Sequence, residues 1–114
     1  MSEPRLKSKL MVHALLRRCQ MQAVPATIAS KGDEDAGTVL VRVYLGNGHS
    51  RIYNQTRDLS GRLGWTQACG EVPVEDQRAD DYIRHAKDVD WDLWVIDIDS
   101  PNGHVPFIHD PQMF

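Results

Sequence analysis

Residues 32–45 read Gly-Asp-Glu-Asp-Ala-Gly-Thr-Val-Leu-Val-Arg-Val-Tyr-Leu, an acidic turn followed by a strand. In the second half, apolar residues occupy every second position, at Val39, Val41, Val43 and Leu45, which is the period of a strand with one apolar face. The turn supplies acids that stay in water and glycines at positions where a positive φ is expected. This stretch therefore places a β-sheet in the middle of the chain, with helical sequence on both sides.

Further strands are predicted around this one. Residues 26–30 form a short strand, and Gly46-Asn47-Gly48 is a hairpin signal that makes residues 49–56 the partner strand. Residues 65–69 are a weaker strand candidate. The middle of the chain is therefore rich in strands that lie at hairpin spacing.

The last strand is predicted over residues 93–99. Trp94, Ile96 and Ile98 share one face, whereas the other face is apolar at its start and charged at its end. Pro106 has no backbone N–H to donate, so any later strand near it is confined to a sheet edge.

Helical periodicity flanks the strands. A second helix begins near Pro73 or Val74, because proline suits the first helical turn and the acids that follow oppose the positive end of the helix dipole. The predicted fold is α+β in two layers, an antiparallel sheet of four to five strands with two helices on one face, in the order α-β-β-β-(β)-α-β. The first helix has its core-facing arc at Ser8, Met11, Val12, Leu15, Leu16 and Cys19.

Composition narrows the class of protein. A chain of 114 residues predicts a single domain over residues 1–114, with residues 1–4 and 108–114 loosely held. The net charge of −3 argues against a protein built mainly to bind nucleic acid. No apolar run has the length of a membrane span, and the first residues lack the apolar core of a signal peptide, so a cytoplasmic location without a membrane partner is predicted.

Three blocks of sequence together resemble a known family. They are residues 5–19 (Arg-Leu-Lys-Ser-Lys-Leu-Met-Val-His-Ala-Leu-Leu-Arg-Arg-Cys), residues 32–43 of the turn and strand, and residues 92–99 (Asp-Leu-Trp-Val-Ile-Asp-Ile-Asp). In order and spacing they resemble the small bacterial family of domain of unknown function 1491, over roughly residues 5–107. Trp91 stands where the resemblance leads us to expect a proline. The resemblance implies a stand-alone cytoplasmic bacterial protein without an assigned activity and carries over no catalytic residues.

One candidate chemistry is a metal site. Asp97 and Asp99 lie two residues apart on a strand, so both carboxylates point to one face, and such a pair can hold Mg²⁺ or Mn²⁺. With His49, His104 and His109 nearby, a metal-dependent hydrolase could be assembled. The competing interpretation is a strand end whose acids provide solubility and guard an edge. No nucleophile with a base is recognisable, and no catalytic residue, cofactor or bound metal is predicted.

Weak nucleic-acid binding is a second alternative. Four arginines are spread over the first helix and the sheet, and two tyrosines lie on the same strands as two of them. An open basic and aromatic sheet surface is what RNA-binding sheets use. The residues of this alternative are Arg17, Arg18, Arg42 and Arg51, with Tyr44 and Tyr53 for stacking.

The favoured hypothesis is a non-enzymatic interaction module or adaptor, with a protein partner or a second copy of the chain. An apolar strip on the first helix lies off the core-facing arc and needs a cover. Residues 1–22 carry five basic side chains against one acidic, and residues 75–99 carry nine acidic against three basic, which could bring two copies together. The candidate interaction surface is Leu6, Leu10, Ala14, Arg17 and Arg18.

Overall fold

The computed structural model describes residues 7–109. One mixed sheet carries helices on both of its faces, and within this part of the chain no helix is long and apolar enough to cross a membrane. The elements in chain order are α1 (Ser8–Met21), β1 (Ala26–Ser30), β2 (Val39–Gly46), β3 (His49–Arg57), β4 (Leu63–Gln67), β5 (Val74–Glu75), α2 (Asp76–Val89), β6 (Trp94–Asp99) and α3 (Pro106–His109).

Several local predictions are confirmed. The strand at β1 has the predicted bounds, and β2 and β3 are joined by the predicted hairpin turn, where Gly46, Asn47 and Gly48 all have positive φ. The weaker strand candidate is β4, displaced by two residues toward the N-terminus. The second helix begins a little later than predicted, because the two residues of β5 first pair with β3.

The sheet is mixed, so the prediction of a purely antiparallel sheet is wrong. The strand order is β1-β6-β2-β3-β4, with β5 pairing to β3. β6 runs parallel to β2 and antiparallel to β1. The cause is the connection through α2, because a helical crossover brings the chain back to the sheet in the direction of an earlier strand. Periodicity shows which face a side chain takes, but it does not show which strand will be the neighbour.

The two long helices lie on opposite faces, so the two-layer prediction is also wrong. α1 and α3 cover the face of Val39, Val41 and Val43, as predicted for α1. α2 covers the other face, where Leu40 packs with Val95. The strands at the centre of the sheet are apolar on both faces, and each apolar face requires a cover.

The turn at residues 32–37 brings the three blocks of the resemblance together. The Ser8 hydroxyl donates to the Gly37 carbonyl at 2.6 Å, and the Trp94 indole N–H donates to the Asp33 carbonyl at 2.7 Å. A Cβ on Gly37 would lie 2.1 Å from the Asp92 carbonyl oxygen. This glycine is therefore needed for a close approach of two backbones rather than for the positive φ that was predicted.

The segment after β6 ends in a helix instead of an edge strand. Pro106 starts α3, where its missing N–H costs nothing. Phe107 is buried and contacts Trp65, with the ring centroids 5.3 Å apart. Ile108, the first residue of the predicted loose tail, packs against the core. Residues 1–4 and 110–114 lie outside the described part of the chain, so there the prediction stays a prediction.

Candidate functional site

The residues of the predicted metal site are not brought together. Asp97 lies on the α2 side of the sheet, in register with Arg42. His104 and His109 are neighbours, with ring centroids 5.8 Å apart, but they lie on the α1 side, where His109 packs against Tyr53. Among residues 7–109 no group of three or more His, Cys, Asp or Glu side chains is arranged to hold a metal ion.

The open basic and aromatic surface predicted for RNA is wrong. Arg42 and Arg51 occupy adjacent strands but opposite faces, since Arg42 is paired with Ile52 in the β2–β3 register. α2 covers the face that was expected to be open, so Arg42 is buried, and Arg18 is buried against the Pro106 carbonyl. Of the four arginines in this alternative, Arg17 alone is exposed.

Arg42 joins α2 to the sheet. Its guanidinium forms an ion pair with Asp80, donates to the Asp76 carbonyl at 3.0 Å and lies 4.2 Å from the centre of the Tyr44 ring. Its Nε donates to the Ser50 hydroxyl, which in turn donates to the Asp76 carboxylate at 2.6 Å. A buried charge is tolerated when it is paired and hydrogen-bonded in this way. Arg42 is therefore structural, and its charge is already balanced.

A cleft of about 360 Å³ opens beside Arg42, between α2 and the strands β1 and β6. Asp97 lies in it, half-buried, and Lys87 and Asp88 stand on the α2 wall. The lining mixes both signs of charge, unlike a site built for a phosphate group. Asp97 has no hydrogen-bond partner among the described residues, and desolvation raises the pKa of Asp97, with Arg42 opposing that rise.

We expect Asp97→Asn to raise the melting temperature at pH 7. Burial raises the pKa of Asp97 in the folded protein. The protonated carboxyl is therefore tolerated at low pH, and the protein loses stability as the pH rises from the ordinary carboxyl pKa through the folded pKa and the group ionises. The gain from Asn should therefore disappear near pH 3. Thermal unfolding followed by circular dichroism at both pH values checks this.

The matched control is Asp99→Asn, at an exposed position on the same strand, which should leave the melting temperature unchanged. A gain in melting temperature for Asp97→Asn that persists at low pH would contradict the explanation.

The hydrogen-bonding directions of β1 follow from one bond at its start. The Asp99 N–H donates to the Pro25 carbonyl at 2.9 Å. This bond makes Pro25 and Asp99 a hydrogen-bonded pair. Hydrogen-bonded and non-hydrogen-bonded pairs alternate along an antiparallel ladder, so the pair Thr27–Asp97 is also hydrogen-bonded and the pairs on either side of it are not. Thr27 therefore turns its backbone groups toward β6, while Ala26 and Ile28 turn theirs away from the sheet.

β1 is an edge strand without a charge or a proline. It lies at the end of the sheet, and no strand within residues 7–109 pairs with its outer side. Its sequence, Ala-Thr-Ile-Ala-Ser, has no charge and no proline, the devices that commonly block edges. A shift of register between Ile28 and Ser30 marks a bulge at its far end. The segment from Ala26 to Ile28 is therefore regular and open for pairing.

Clefts border β1 on both faces of the sheet. The α1-side cleft, of about 460 Å³, is lined by Leu16, Val24 and Ala26 among others. On the α2 side, the cleft beside Arg42 reaches the end of β1, and a second cleft of about 250 Å³ is lined in part by Asp97 and Asp99. A chain segment added to β1 would thus find side-chain space above and below it.

Comparison with known proteins confirms the family that the three blocks of sequence resemble. The sequence model described as protein of unknown function (DUF1491) matches residues 6–108. The chain belongs to the DUF1491 family. It is similar to the crystal structure of a DUF1491 family protein from Caulobacter crescentus, at 32% identity over 88% of this chain and 92% of the other, with a TM-score of 0.76. A search of curated proteins gives no match.

Solution structures are similar as well. An NMR structure of a DUF1491 family protein from Caulobacter crescentus has 33% identity over 88% of this chain and 90% of the other, with a TM-score of 0.72. The protein Atu0922 from A. tumefaciens has 27% identity over 84% of this chain and 86% of the other, also with a TM-score of 0.72. The arrangement described for this DUF1491 chain is therefore shared with solved structures.

Trp91, which stands where the family resemblance leads us to expect a proline, lies in a turn. Trp91 is 87% exposed, and its N–H makes no hydrogen bond with a described residue. Asp90 before it is extended, with φ −132° and ψ 100°, as a residue before proline should be. We expect Trp91→Pro to leave stability unchanged or raise it by about 0.4–1 kcal/mol through the unfolded state. Urea unfolding measures this, and a clear loss of stability would contradict it.

The predicted surface on α1 is only partly present. Leu10 is 55% exposed and Arg17 is exposed, but Ala14 is half-buried and Arg18 is buried; Leu6 lies outside the described residues. The homodimer stays a prediction. If α1 forms it, sedimentation at tens of micromolar will show a dimer that Leu10→Glu converts to a folded monomer. A monomeric wild-type protein would rule it out.

Proposed function

We propose that this DUF1491 protein is a non-enzymatic interaction module that binds an extended segment of a partner protein as an added strand on β1. The observation that carries the proposal is the open edge, where the backbone groups of Ala26 and Ile28 point away from the sheet. A strand added to such an edge gains main-chain hydrogen bonds, and pockets beside it select the side chains. Only a short segment is regular, so the expected affinity is micromolar.

The state of the cysteines argues against a cysteine nucleophile. Burial raises the pKa of Cys19 to about 11, with Arg18 opposing, and burial also raises the pKa of Cys69, with Arg78 opposing. A thiolate is the reactive form of cysteine, and both thiols are held protonated at neutral pH. Neither cysteine is therefore poised as a nucleophile.

The other edge of the sheet is a weaker docking candidate. β4 carries Leu63 and Trp65, and both side chains already pack against the core. Its partner β3 is also shared with β5, so this edge is interrupted along its length. β1 is favoured because the clefts described above flank it on both faces of the sheet.

The test is a selection of displayed random octapeptides on the wild-type protein and on two variants of one position. Ile28→Pro removes the outward N–H while leaving the pairing with β6, since proline is tolerated at a sheet edge. Ile28→Val keeps the N–H and most of the side chain. We expect peptides that bind the wild type and Ile28→Val but lose binding to Ile28→Pro.

Two outcomes would overturn the proposal. One is that every selected peptide binds Ile28→Pro as well as it binds the wild type, which would place docking elsewhere. The other is a wild-type dimer in sedimentation that Ile28→Pro abolishes, which would mean that the edge of β1 pairs with a second copy of the chain. Melting temperatures of both variants, measured first, establish that they are folded.

A further inference from the structure

We infer that the segment bound by β1 alternates basic and apolar side chains, with a lysine or arginine placed to reach Asp97. The inference rests on the proposed strand addition and adds the chemistry of the partner. It follows from the two different surfaces that flank β1, because neighbouring residues of an added strand point to opposite faces of the sheet.

The α1 side of the edge is apolar. Ala26 and Ile28 pack their side chains there against the main core. The α1-side cleft continues this surface with Leu16 and Val24. Every second residue of an added strand would lie over this surface, where burial of a Val or Ile side chain is favoured by about 1.5–3 kcal/mol if complete. One half of the bound pattern is therefore apolar.

The α2 side of the edge carries more acids than bases. Asp97 and the exposed Asp99 lie on β6 directly inside β1. The bases nearby are Arg42, which is buried and paired with Asp80, Arg84, which pairs with Asp81 at 3.1 Å, and Lys87, which lines the same cleft as Asp97. The four acids of α2, Asp76, Asp80, Asp81 and Asp88, already outnumber these three bases, so the carboxylates of β6 are in excess. Charge complementarity therefore makes the other half of the pattern basic.

Asp97 is the expected anchor. Its carboxylate is half-buried and lacks a hydrogen-bond partner among the described residues, so an incoming donor would satisfy it. The desolvation that raises the pKa of Asp97 would be compensated by a neighbouring cation. An added strand lies two strand spacings from β6, about 9.6 Å. That span suits the long side chains of lysine and arginine, and it leaves a short side chain out of reach.

The experiment compares three acetylated, amidated and fluorescein-labelled heptapeptides by fluorescence anisotropy. The first alternates valine with lysine or arginine, as Val-Lys-Val-Arg-Val-Lys-Val. The second replaces each base by glutamate. The third has the composition of the first with the valines grouped together. We expect the first to bind best, with an affinity that falls as salt is added.

Variants of the protein test whether the basic side chains of the peptide contact Asp97. Asp97→Asn should weaken binding of the alternating basic peptide by about 2- to 5-fold, the upper part of the range for one partly exposed ion pair. It should leave binding of the glutamate peptide no weaker than before. Thr66→Asn on β4, an exposed position at the far edge of the sheet, is the matched control and should change nothing.

The outcomes separate this inference from the proposal beneath it. If the glutamate peptide binds as well as the basic one, or if Asp97→Asn has no effect, while Ile28→Pro still abolishes binding, strand addition stands and the basic pattern is wrong. If the grouped peptide binds as well as the alternating one and Ile28→Pro has no effect, charge alone governs binding, and both ideas fail. If none of the three peptides binds while peptides from the selection do and depend on Ile28, the pattern alone is refuted.

Discussion

Val41→Asp is expected to abolish folding. Val41 is fully buried in the centre of the sheet, with Tyr53 on one neighbouring strand and Ile96 on the other in register. A carboxylate there has no partner, and burying an unpaired charge costs far more than a folded domain of this size can lose. Circular dichroism should show loss of the cooperative thermal transition.

The control for Val41→Asp is the same change at an exposed strand position. Thr66 lies on β4 and faces solvent, so the free energy of unfolding of Thr66→Asp should lie within about 0.5 kcal/mol of the wild-type value. A soluble Val41→Asp protein with an unchanged melting temperature would show that Val41 does not face the core. That result would contradict the arrangement of α1 against β2.

Gly37→Ala is expected to have the second largest effect. The new Cβ would meet the Asp92 carbonyl oxygen at 2.1 Å and the Trp94 ring at 2.9 Å, and neither belongs to a flexible side chain. The turn must move, and its movement disturbs the bond from the Ser8 hydroxyl to the Gly37 carbonyl. We expect a loss of about 3 kcal/mol, the upper range for an overpacked site, measured by urea unfolding.

Gly64→Ala is the matched glycine for this test. Its Cβ would lie 3.1 Å from the Thr56 hydroxyl, which belongs to a side chain that can turn away. The expected loss is therefore below about 1 kcal/mol. If Gly37→Ala were no more damaging than Gly64→Ala, the close approach of the turn to the start of β6 would be wrong.

The faces of single strands could be predicted from the sequence, but their neighbours could not. The alternation of Val39, Val41 and Val43 identified the core side, and Trp94 with Ile96 did the same for β6. The parallel pairing of β6 with β2 depends on the path taken by α2, which no local pattern records. The apolar residues on the opposite faces of those strands, Leu40 and Val95, were the signal that a second layer was needed.

The candidate site was harder to predict for a related reason. Asp97 stood out as a carboxylate near the end of a strand, yet its setting depends on α2 and on β1 beside it. Arg42 was assigned to an open surface because nothing in its own strand shows that a helix covers it. The edge position of β1 follows from the order of the whole sheet, since its five residues look like any short strand.

Backbone amide exchange tests the central claim most directly. The alternating basic peptide, or the best peptide from the selection, is added to the isotope-labelled protein, and exchange is followed residue by residue by NMR. The account predicts new protection at the amides of Ala26 and Ile28, with little change at Thr27, whose N–H already faces β6. Binding that protects the amides of β4 instead, or that leaves Ala26 and Ile28 exchanging as before, would contradict it.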